Sequence, residues 1–75
     1  MREKILRAAL AKFESEALAA RANLEVYLHR PSGVGEHPNL VDEVVGLTRL
    51  VTEAEENIRT VESILAEALV GDTYA

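Results

Sequence analysis

Residues 40–68 read LVDEVVGLTRLVTEAEENIRTVESILAEA. Apolar side chains recur along this stretch at alternating spacings of four and three: Leu40, Val44, Leu47, Val51, Ala54, Ile58, Val61, Leu65 and Ala68. Two turns of α-helix take about seven residues, so this spacing keeps one stripe of the helix turned toward a partner helix. The pattern therefore predicts a long helix over 40–69 and a second helix to cover its stripe.

The partner lies upstream. Residues 3–29 contain neither proline nor glycine and are dense in strong helix formers, which predicts one helix about 40 Å long at ~1.5 Å per residue. Its own seam is Leu6, Leu10, Phe13, Ala17, Ala20, Leu24 and Tyr27, again spaced four and three. Lys12/Glu16, Arg21/Glu25, Arg49/Glu53 and Glu55/Arg59 stand four residues apart on outward faces, where each pair adds a few tenths of a kcal/mol.

Between the helices, residues 30–39 hold both prolines (Pro31, Pro38) and the glycines Gly33 and Gly35. Pro31 drives Arg30 out of the helical basin, so the first helix ends near His29. Two capping schemes fit the second helix. Pro38 can occupy its first position, or Asn39 can be the N-cap with Asp42 as the reciprocal acceptor. Gly71 just beyond Val70 is the expected left-handed stop, leaving 71–75 as a frayed tail.

A loop of this length makes the helices antiparallel neighbours. When facing positions are those whose numbers add to 71, every seam residue of the first helix meets one of the second, from Leu6/Leu65 through Ala17/Ala54 to Tyr27/Val44. The midpoint of that register falls between Gly35 and Glu36, inside the loop. The expected fold is all-α: a single domain over 1–75, an antiparallel two-helix hairpin with a coiled-coil-like seam.

One hairpin leaves apolar residues unused. Ile5, Leu18, Val26, Leu28, Val41, Val45, Leu50 and Ile64 lie off the seam, and a helix with an apolar face wider than one stripe has more than one neighbour. Ordering some 65 residues costs on the order of 100 kcal/mol, which a single two-helix seam does not offset. Gly46, which costs about 1 kcal/mol in a helix interior, lies one turn from Leu50. It is either the place of a close helix crossing or a tolerated surface glycine. Asn57 stands midway between Leu50 and Ile64, where a polar residue either fixes register and oligomeric state or sits solvated at the boundary. These residues predict a dimer of hairpins forming a four-helix bundle, with Gly46, Leu50, Asn57, Ile64, Leu18 and Val26 at the interface between copies.

Composition narrows the function. In 75 residues with no cysteine there is room for one small domain and no disulfide or Cys-bound zinc. A net charge of −5 argues against binding phosphate backbones and is modest for a nucleic-acid mimic. No run approaches the roughly 20 apolar residues of a membrane span. Residues 1–10 are broken by Arg2, Glu3, Lys4 and Arg7, unlike the apolar core of a secretory signal. The expected location is cytoplasmic.

The search for chemistry is short. His29, Glu36 and His37 flank the loop but match no metal-ligand spacing, and they read as a cation at a helix C-terminus and ordinary loop residues. Gly33-Val34-Gly35 follows a helix and lacks the lysine of a phosphate loop. The glutamates at 14, 16, 53, 55, 56 and 62 include no Glu-x-x-His pair of a di-iron bundle. No catalytic, cofactor-binding or metal site is expected, and the chain is not read as an enzyme.

The run Glu25-Val26-Tyr27-Leu28, then Pro31 to Glu43 (PSGVGEHPNLVDE), followed by a Glu-rich helix, resembles small helical-hairpin proteins encoded by tailed bacteriophages. The resemblance covers the second half of the first helix, the loop and the start of the second helix. It implies a phage origin and a place in the bacterial host cytoplasm or the virion, and it assigns no activity or site residue. Two function classes stand: a self-associating structural or scaffold protein, or an adaptor or inhibitor docking on a host or phage protein. The adaptor would use the leftover stripe or the loop, whose tip Val34, Glu36 and His37, above Tyr27, is either a binding tip or a passive cap.

Overall fold

Two α-helices lie side by side in the computed structural model, which describes residues 1–29 and 39–74: α1 (Arg2–His29) and α2 (Leu40–Tyr74). Among the described residues there is no strand, and the rod they form is 58 Å long. The expected hairpin of two helices is what the structure contains. The loop residues 30–38, with Val34, Glu36 and His37, lie outside the described residues.

Both helix starts follow from local chemistry. The Met1 carbonyl accepts from the Ile5 N–H at 3.1 Å, so α1 begins one residue before the expected boundary. Glu3 sits in its first turn, at the positive end of the dipole, and accepts from Arg7 Nε at 2.9 Å. At the head of α2 the Asn39 carbonyl accepts from the Glu43 N–H at 3.0 Å, which places Asn39 at the N-cap position, while Pro38 lies outside the described residues. Asp42 and Glu43 occupy the first turn.

The end of α2 corrects the expectation of a stop at Gly71 with a frayed tail over 71–75. The helix continues through Gly71 to Tyr74. Glycine permits a left-handed cap but does not impose one, and no proline follows to forbid helical geometry. The guanidinium of Arg2 packs against this turn, where Arg2 Nη2 donates to the Ala68 carbonyl at 3.4 Å.

Every seam residue is buried or half-buried, and the most buried ones are mostly small. The core is Ala17, Ala20, Val51, Ala54, Val61, Leu65 and Ala68. Ala17 and Ala54, at 7% and 4% exposed, are both buried, as a narrow waist at that level of the expected register would have them. Arg2 against Ala68 and Arg21 against Glu55 join residues no more than about a turn and a half from the facing positions of that register. A chain carrying Ala17→Cys and Ala54→Cys is accordingly expected to close an intrachain disulfide on mild oxidation, because small facing residues bring Cα atoms within the ~4.4–6.8 Å that the bond needs. Non-reducing electrophoresis of dilute protein checks this, and crosslinks formed only between chains would refute the register.

Candidate interaction face

A helix turns about 100° per residue, so the residue before a seam position and the residue after it look out on opposite flanks of the hairpin. The two flanks differ in chemistry. On one, Arg7, Glu14 and Arg21 of α1 oppose Thr48, Glu55 and Glu62 of α2, with apolar Leu18 and Val45 further out on it and Leu28, Val41 and Leu69 toward its ends. Arg21 reaches across the seam there, its Nε donating to Glu55 Oε2 at 3.1 Å while Nη2 donates to the same oxygen. This cross-helix pair takes the place of the expected Arg21/Glu25 and Glu55/Arg59 pairs. Both partners are well exposed, so the pair orients the helices more than it stabilises them.

The other flank is grooved and more apolar. One groove, at the level of the alanine waist, lies between Glu16, Ala19, Ala20 and Asn23 of α1 and Leu47, Leu50, Glu53, Ala54 and Asn57 of α2. A second, nearer the end of the rod, lies between Arg2, Ile5 and Leu6 of α1 and Ile64, Glu67, Ala68 and Gly71 of α2. Leu50, Asn57 and Ile64 line these grooves at intervals of seven residues, hence in one column down α2. Leu50 is 55% and Ile64 44% exposed in the single chain.

The expected interface residues divide between sites. Leu50, Asn57 and Ile64 fall on the grooved flank. Gly46 lies on its outer margin, where a Cβ would meet nothing within 4 Å, so within one chain no helix crosses closely at this glycine. Val26 stands on the outward side of α1 beside Ala22, Glu25 and His29. Leu18, the residue after Ala17, is 71% exposed and looks to the other side of the hairpin. Helical periodicity identified these residues as surplus, and only the antiparallel pairing sorts them into flanks.

Among the described residues no group of three or more His, Asp or Glu side chains is placed to hold a metal ion. No helix among them is long and apolar enough to cross a membrane. The hydroxyls of Thr48 and Thr60 turn back to the carbonyls of Val44 and Glu56, at 2.7 and 3.0 Å, rather than outward to a ligand. No family model, no curated protein and no solved structure matches this chain.

Proposed function

We propose that this chain is a non-catalytic, self-associating helical hairpin with a structural or scaffold role, its working form a dimer of hairpins joined as a four-helix bundle. The observation that carries this reading is the mismatch between what the hairpin encloses and what it leaves out. No side chain among the described residues is fully enclosed, while Ile5, Leu18, Leu50 and Ile64 stand open to solvent. A two-helix seam whose most buried residues are largely alanine and valine is too thin to hold a fold by itself, and association supplies the missing core.

The resemblance of residues 25–43 to phage hairpin proteins sets the proposed place of action in a bacterial host cytoplasm or a virion. A host or phage protein seated on the same groove is the competing occupant. Sedimentation equilibrium at micromolar concentration distinguishes the two. The expected result is a closed dimer whose melting temperature rises with concentration, and a monomer with a cooperative melt would sink the proposal.

A further inference from the structure

Resting on the self-association proposed above, we infer the arrangement of the two copies: they pack antiparallel through the grooved flank, about a two-fold axis at the level of Asn57. The column on α2 is symmetric in character about this residue, with Leu50 seven positions before it and Ile64 seven after. Laid antiparallel on its copy with Asn57 at the axis, each Leu50 covers the partner's Ile64. The two Asn57 amides meet, each able to donate its N–H to the other's carbonyl oxygen.

The facing register carries the axis across to α1 at the level of Glu14. Lys12 and Glu16 lie two residues either side of that level with opposite charge. The same axis that sets Leu50 on Ile64 therefore brings Lys12 of one copy to Glu16 of the other, twice. It also sets Ala9 against Ala19, so that the two α1 helices approach closely at small residues. An unrelated partner would require none of these coincidences, whereas a two-fold axis requires them together. Hairpins aligned in the same direction would instead lay Leu50 between Ala19 and Asn23 and Ile64 between Ile5 and Ala9, leaving the two Asn57 residues apart.

The chain has no cysteine, so single replacements report cleanly. Asn57→Cys is expected to form an interchain disulfide in most of the protein on mild oxidation, and Glu62→Cys on the opposite flank is not. In a second arm, Lys12→Glu and Glu16→Lys chains are each expected to self-associate at least tenfold more weakly than the unmodified chain. Mixed one to one they are expected to regain association as a heterodimer, a recovery that an ion pair within one helix cannot produce. Failure of either arm in a chain that is still dimeric overturns the arrangement and leaves self-association standing. A monomeric, cooperatively folded unmodified chain overturns both.

Discussion

Replacing Leu50 and Ile64 together by glutamate is expected to abolish the dimer and, with it, most of the helical content at micromolar concentration. Each side chain removed forfeits about 2 kcal/mol of burial. Each substitution also acts twice in a two-fold pair and adds negative charge to a chain already at −5. The summed loss is comparable to what a domain of this size holds in reserve. Leu18→Glu is the matched control: Leu18 is more exposed than either residue but looks to the other side, so it should shift stability by no more than about 0.5 kcal/mol. Circular dichroism with sedimentation checks both, and a double variant that melts like the parent would return Leu50 and Ile64 to the status of ordinary surface residues.

The second large effect belongs to the seam itself. Leu65, at 8% exposed, is the only buried leucine among the described residues, and the register sets it opposite Leu6. Leu65→Ala is expected to cost about 2–5 kcal/mol, the transfer term of the lost methyl groups plus that of a cavity which neighbouring alanines cannot fill. In urea unfolding of the assembled protein this is a fall in midpoint with little change in slope. A cost below about 0.5 kcal/mol would mean that the seam is not where the stability resides.

Much of this architecture could be read from periodicity, because burial in a two-helix protein has one dominant direction. Seam residues from Leu6 to Tyr27 and from Leu40 to Ala68 are all buried or half-buried, and the eight off-seam apolar residues are all exposed. What the spacing leaves open involves choices between competing local options. Arg21 has one acceptor four residues on, Glu25, and another across the seam, Glu55, and only the packed helices show that it takes the second. Gly71 admits either hand of backbone, and α2 continues to Tyr74 in the right-handed one. The division of surplus apolar residues into flanks is invisible in one helix alone. It depends on which side of each seam position faces the same way once two antiparallel helices are laid together. The proposed loop tip rests on sequence alone, since Val34, Glu36 and His37 lie outside the described residues.

The contrast between a grooved flank and one whose middle is charged and cross-linked limits how far assembly can run. A rod with adhesive on both sides would stack without end, each added copy presenting a fresh surface to the next. Here the middle of the opposite side holds the solvated Arg21–Glu55 pair, which has little to gain from a neighbour. In the proposed dimer it is the grooved side that is used, and association closes there. On that proposal the chain yields a countable particle rather than a fibre, and its concentration in a cell would set how many such particles exist, not how long they become.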